Sequence, residues 1–198
     1  MKNTINILSD NVINQIAAGE VIKRPASIIK ELIENAIDAK ASSIQIIITN
    51  AGKTLIQVID NGIGMNEHDA KICFQKHTTS KIKNTQDIMN INTMGFRGEA
   101  LASIASVSSV ELKTKTQKDA IGTYINIENS EIKKQKKIAL NTGTSISVKN
   151  LFFNIPARKN FLKSDKIEFK HILETFMQLA IVNYSVSFQF NNNGKIIY

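Results

Sequence analysis

The sequence predicts an α+β sandwich. Three observations carry that expectation. Stretches with the two-residue period of strands come as hairpin-like pairs. Stretches with helical spacing fall between those pairs, without the strict strand–helix alternation of a doubly wound parallel fold. The 198 residues, 42% of them hydrophobic, suffice for one domain with a sizeable core, and we expect residues 1–198 to form one domain.

The elements follow in order. Pro25 opens a helix to about Lys40, because proline suits the first helical turn. Its apolar stripe is Ile28, Ile29, Leu32, Ile33, Ala36 and Ile37. "SIQIIITN" (43–50) and "TLIQVIDNG" (54–62) read as strands joined by the turn "NAGK". "NEHDAKICFQKH" (66–77) reads as a helix, and the polar stretch Thr78 to Asn92 as a long loop of the kind that often forms a lid. "GEALASIASV" (98–107) reads as a short helix after a glycine-marked turn. Strands follow at "SSVELKTKT", "GTYINIEN" and "GTSISVKNL". Ser164 or Asp165 caps a long amphipathic helix over 164–183, and "SVSFQF", "NNNG" and "KIIY" make a closing hairpin. The chain stops within that last strand, so we expect a longer protein.

Composition excludes several classes. No stretch approaches the roughly 20 apolar residues of a membrane helix. The N-terminus "MKNTINILSDNVINQ" lacks an apolar core followed by a small-residue cleavage site, which predicts an intracellular protein. One cysteine and three histidines argue against a structural zinc site and against an internal disulfide. The formal net charge of +8 suits an anionic partner, although taken alone it slightly favours a plain lysine-rich soluble surface. The three arginines, Arg24, Arg97 and Arg158, all sit in Gly- or Pro-marked stretches. "GKT" at 52–54 is no P-loop, since position 47 is Ile47 and a strand follows.

Four stretches offer chemistry. On the helix from Pro25, Glu31, Asn35 and Asp38 share one flank of the apolar stripe. An asparagine carbonyl can ligate magnesium, and a carboxylate one turn away can take a proton from water. Alone, that edge reads more readily as a solvated face. Asp60 ends a strand before "NGIGM", where Gly62 and Gly64 permit close approach of a flat ligand; alone it is an Asn-Gly turn. "GFRGEALASI" places glycines before a helix start, where backbone N–H groups gather an anion. "HTTSK" supplies Thr79, Ser80 and Lys81 as phosphate contacts, and Thr144 follows Gly143 at a strand start.

A base, a metal ligand, an acceptor for adenine's amine and a phosphate cradle without a P-loop resemble the ATPase superfamily shared by gyrase, the ninety-kilodalton chaperones, histidine kinases and MutL. "NQIAAGEVIKRPASIIKELIENAIDA", "DNGIGM", "TTSKI", "GFRGEALASI" and "LFFNIPARKNFLKS" narrow the resemblance to the MutL family, over about Asn14 to Ser164.

The resemblance implies a two-layer sandwich of a mixed, mainly antiparallel sheet with helices on one face. It implies a Mg-dependent ATPase with ATP and Mg2+ as cofactors. Glu31 is then the general base and Asn35 the magnesium ligand. Asp38, Asp60, Gly62, Gly64, Met65 and Thr144 are further nucleotide-binding residues. Thr79, Ser80 and Lys81 wrap the phosphates together with Gly95, Phe96, Arg97, Gly98, Glu99, Ala100 and Leu101. A second domain beyond Tyr198 is expected to bring a further lysine, so this chain alone is expected to hydrolyse ATP slowly or not at all. The implied partners are a MutS-type mismatch-recognition protein, a downstream endonuclease or helicase, non-specific DNA bound weakly, and a second copy, in the bacterial cytoplasm and with no membrane. A gyrase-like ATPase and a non-catalytic DNA-binding module are the competing expectations.

Overall fold

A computed structural model describes residues 8–82, 84–89 and 93–198. Helix α1 spans Asp10–Val21 and α2 spans Pro25–Asp38, with Pro25 at its first turn as expected. Along α2 the stripe Ile28, Ile29, Leu32, Ile33 and Ala36 is buried, and the helix ends where Lys40 turns to φ +62°. Strand β1 (Ser43–Thr49) buries Ile44, Ile46 and Ile48, and β2 (Leu55–Asp60) buries Ile56 and Val58, the two-residue period of a sheet covered on one face. Next come α3 (Glu67–Ile72), α4 (Thr85–Met89) and α5 (Ala100–Val107). Strands β3 (Ser109–Lys115), β4 (Gly122–Glu128), β5 (Glu131–Ile138) and β6 (Gly143–Lys149) follow. Then α6 (Pro156–Phe161), α7 (Asp165–Val182), β7 (Ser187–Asn192) and β8 (Lys195–Ile196) complete the described chain.

The strands form one sheet in the order β5-β4-β3-β6-β2-β1-β7-β8. Every neighbouring pair is antiparallel except β1 with β7, where Gln45 aligns with Gln189 and their side-chain amides bond at 2.6 Å. The expected mixed, mainly antiparallel sheet is therefore present. Helices α2 and α7 pack together over the β1–β2 side, and α1 packs on α5 over β3 and β4. Between helices and sheet lie Ile29, Ile33, Ile46, Val110, Leu112 and Ile125, all essentially inaccessible. Each such aliphatic side chain contributes about 1.5–3 kcal/mol of burial free energy. Phe176 of α7 meets Phe190 of β7 with ring centroids 4.8 Å apart. Among the described residues no helix is long and apolar enough to cross a membrane.

Several expectations change. Helices α1 and α6 and strand β5 carry no sequence forecast. Strand β5, "EIKKQKKI", is an edge strand whose residues are exposed from Glu131 to Lys137, so it lacks the apolar alternation that reveals strands. The stretch expected as a loop contains α4, and its residues 83 and 90–92 lie outside the described ones. Helix α3 stops at Ile72 rather than His77, and His77 itself has φ +61°. Ser164 is the N-cap of α7, but its side chain makes no capping bond. The buried Glu168 carboxylate instead accepts the Lys163 N–H at 2.9 Å.

Candidate functional site

A cavity of about 1270 Å³ opens between α2, the end of β2, the start of β6 and the segments before α5. It is lined by Glu31, Asn35, Asp38, Asp60, Gly64, Met65, Thr79, Ser80, Lys81, Thr144 and residues 95–101. Of the residues expected to bind nucleotide or magnesium only Gly62 is not on its wall. Gly62 works from behind, donating its N–H to Asp60 Oδ1 at 2.8 Å.

Glu31 and Asn35 reach the cavity because they sit on the flank of α2 beside its buried stripe, four residues apart. Burial of Glu31 pushes its carboxyl above the usual range, with the Lys30 ammonium, 3.9 Å away, opposing the rise. Lys30 is itself engaged by the buried Glu34 at 2.8 Å. A carboxylate with a raised pKa and no short ion pair is suited to accepting a proton. The Asn35 amide oxygen accepts the Lys81 ammonium at 3.1 Å.

Asp60 lies where β2 and β6 run side by side, opposite Thr144, and Thr144 in turn lies opposite Thr114 of β3. Burial raises the Asp60 carboxyl to about 6, although the Gly62 N–H bond and the nearby Thr144 backbone oppose the rise. Thr114, buried, ties this corner together. Its hydroxyl meets Thr144 Oγ1 at 3.1 Å, donates to the Gly143 carbonyl at 3.0 Å and accepts the Met65 N–H at 2.8 Å. Gly64 has φ +67°, and a Cβ there would fall 2.1 Å from the Lys115 carbonyl oxygen. Only glycine lets the turn lie this close against β3.

The side that carries the expected phosphate contacts is built from two segments in contact. Gly98, at φ +66°, sits so tightly on residue 78 that a Cβ would lie 2.4 Å from the Thr78 carbonyl oxygen. Thr79 Oγ1 accepts the Lys81 N–H at 3.1 Å, rounding the turn that aims Lys81 inward. Glu99 precedes α5, whose first N–H groups face the cavity end occupied by residues 95–101. The exposed Arg97 guanidinium lies 5.6 Å from the Phe96 ring centroid.

Some wall residues carried no forecast. Ile63 and Ile146 add apolar surface near Asp60, and the core-facing register of β6 is the signal that places Ile146. His77, 3.5 Å from Glu99, and Cys73 also line the cavity. Burial pushes the Cys73 thiol up to about 12.

A helix-borne carboxylate and amide, a strand-end aspartate, the Thr79–Lys81 turn and the glycine-marked segment 95–101 line one cavity on a mixed sheet, the arrangement expected of a nucleotide-binding ATPase. The family described as histidine kinase-, DNA gyrase B- and HSP90-like ATPase matches residues 23–157, and the chain belongs to that family. Within it, the chain is similar over its whole length to two proteins called DNA mismatch repair protein MutL. It is 54% identical to that of Flavobacterium johnsoniae, covering 31% of it, and 55% identical to that of Christiangramia forsetii, covering 32%. The chain thus spans about a third of these relatives. The Aquifex aeolicus MutL ATPase domain complexed with ADP superposes with a TM-score of 0.73 at 31% identity, over 90% of this chain and 63% of that one. The expected resemblance to MutL ATPase domains and the expected α+β fold are both borne out.

Proposed function

We propose that residues 1–198 form one ATP-binding domain that hydrolyses ATP with magnesium, as the nucleotide-driven part of a bacterial MutL-type mismatch-repair protein. The observation that carries this reading is the convergence of Glu31, Asn35, Asp60 and residues 79–81 and 95–101 on one cavity. Asp60, ionised, accepts the exocyclic amine of adenine, with Thr144 beside it. Residues 79–81 and 95–101 surround the phosphates with N–H groups, hydroxyls and the Lys81 ammonium. Glu31 takes the proton of the attacking water, and its raised pKa brings it closer to neutrality than a free carboxylate.

The donor set fits magnesium. Asn35 offers one neutral oxygen, which already holds a positive group, Lys81. Among the described residues no cluster of three or more acidic, histidine or cysteine side chains could hold a metal by itself. Magnesium takes its remaining ligands from water and substrate phosphates, which this arrangement suits. When bound, the ion would neutralise charge on the transferred phosphoryl group.

In the longer protein, ATP binding orders the segment from Thr78 and favours pairing with a second copy. That state connects a MutS-type mismatch-recognition protein to a downstream endonuclease or helicase on DNA, in the cytoplasm. Titration of the protein with labelled ATP, displaced by ATP or GTP with and without magnesium, tests the site. ATP should displace the label at least tenfold better than GTP. Guanine sets a carbonyl against Asp60 and leaves a buried charge unpaired, a cost of about 1–3 kcal/mol. Equal displacement, or none, defeats the proposal.

A further inference from the structure

Asp38 lies one turn beyond Asn35 on α2, with its side chain only 8% exposed. Oδ2 takes the Lys81 ammonium at 2.5 Å and the Gly95 N–H at 3.2 Å, and Oδ1 takes the Met94 N–H at 3.0 Å. The Thr93 hydroxyl closes the second segment on itself by donating to the Gly95 carbonyl at 2.8 Å. Burial alone would raise the Asp38 carboxyl, but the Lys81 ammonium and the two backbone N–H groups outweigh it and hold it below the usual range. A carboxylate has about four acceptor positions. Three are filled, and little of the side chain remains open to a ligand.

We propose that Asp38 is a positioning residue, not a nucleotide contact. It ties both phosphate-facing segments to the helix that carries Glu31 and Asn35. Its partner Lys81 holds the place of the metal on Asn35 until nucleotide arrives. This inference rests on the ATPase reading of the same site. Lys81 divides its ammonium between Asn35 Oδ1 at 3.1 Å and Asp38 Oδ2. Two cations cannot share one amide oxygen in a partly buried site without strong repulsion. A metal arriving at Asn35 therefore displaces Lys81, and the turn at Thr79–Lys81 shifts with it. The Met94 and Gly95 bonds to Asp38 need not break. Occupancy at α2 thus moves one segment while the other stays tied.

Amide hydrogen exchange on the nucleotide-free protein tests this directly. Lys81→Met should speed exchange at residues 78–82 alone, by about tenfold or more if the ion pair holds that turn. Asp38→Ala should speed exchange at both 78–82 and 93–99. Asp38→Asn, which keeps an acceptor for an N–H but loses the charge, should loosen 78–82 more than 93–99. With Mg-ADP added to wild type, residues 78–82 should change protection and Met94 and Gly95 should keep theirs. Unchanged exchange at both segments in Asp38→Asn and Asp38→Ala overturns the proposal. So does a loss of ADP affinity in those variants without any change in exchange, because that marks a direct nucleotide contact. If Asp38→Ala does not fold, Asp38→Asn and Lys81→Met decide. The nucleotide-free measurements remain decisive even if wild type binds no ADP, an outcome that would sink the ATPase reading instead.

Discussion

Asp60 and Thr144 stand directly opposite each other on β2 and β6, and the Asp60 carboxylate accepts the Gly62 N–H at 2.8 Å beside that pairing. The pairing sets a largely buried acid at the end of two central strands, where its charge costs stability that the Gly62 N–H offsets only in part.

That acid makes stability depend on pH. The folded-state pKa of Asp60 is raised from 3.8 to about 6, so folding favours its protonated form. The stabilisation is complete below about pH 4 and is lost as pH rises through about 6. Relative to Asp60→Asn, wild type should lose about 2–2.5 kcal/mol between pH 4 and pH 7, most of the about 3 kcal/mol that the full shift is worth at about 1.4 kcal/mol per pKa unit. Urea unfolding of both proteins at several pH values, without nucleotide, measures it. A difference that does not change with pH would show that Asp60 titrates normally.

Glu31 and Asn35 should fail in different ways. Glu31→Ala should retain ATP binding while lowering the hydrolysis rate by about 100-fold or more, the scale of general-base catalysis. Asn35→Ala should weaken binding in the presence of magnesium and change it little in EDTA. Calorimetry paired with single-turnover assays separates the two, and equal losses of affinity would refute the assigned roles.

Cys73 should be a poor nucleophile although it lines the cavity. With its thiol held at about 12, the thiolate is scarce at pH 8, whereas an ordinary thiol near 8.5 is substantially ionised. Alkylation by iodoacetamide at pH 8 should be at least about 100-fold slower in the folded protein than in urea. Comparable rates would show that the burial does not persist in solution.

Gly64→Ala should be far more damaging than an ordinary loop change. It combines a left-handed backbone with a Cβ 2.1 Å from the Lys115 carbonyl oxygen. We expect a loss of about 2–4 kcal/mol in unfolding free energy, strain and overpacking together. Chemical denaturation measures it, and a change under about 0.5 kcal/mol, the range of a neutral surface substitution, would contradict the contact.

The sequence exposed those features that depend on local pattern. The stripe of α2 repeats at helical spacing, β1 and β2 alternate cleanly, and Pro25 marks a helix start, so these elements and the polar flank with Glu31 and Asn35 were legible. Strand β5 was not, because lysines protect a sheet edge and erase the alternation. Helix α6, only Pro156–Phe161, is too short to show a period. The roles of Lys81 and Thr114 were hidden for a different reason. Lys81 was marked as a phosphate contact, but its bridge from Asn35 to Asp38 joins residues more than forty positions apart. Nothing near Thr114 in sequence announces that it will brace Met65, Gly143 and Thr144.

The strand order also dictates when the site can come into being during synthesis. Strand β2 is flanked by β1, its immediate predecessor, and by β6, which the ribosome delivers only after β3, β4 and β5. Until Gly143–Lys149 has emerged, Asp60 lacks its neighbour on β6, and the cavity lacks Thr144 and Ile146. A nascent chain halted before β6 therefore holds Glu31, Asn35 and residues 79–81 and 95–101, yet lacks the wall of the cavity beside Asp60. Nucleotide can act as a ligand-driven folding partner only for the last stage of sheet assembly, and it cannot rescue a chain that stalls earlier.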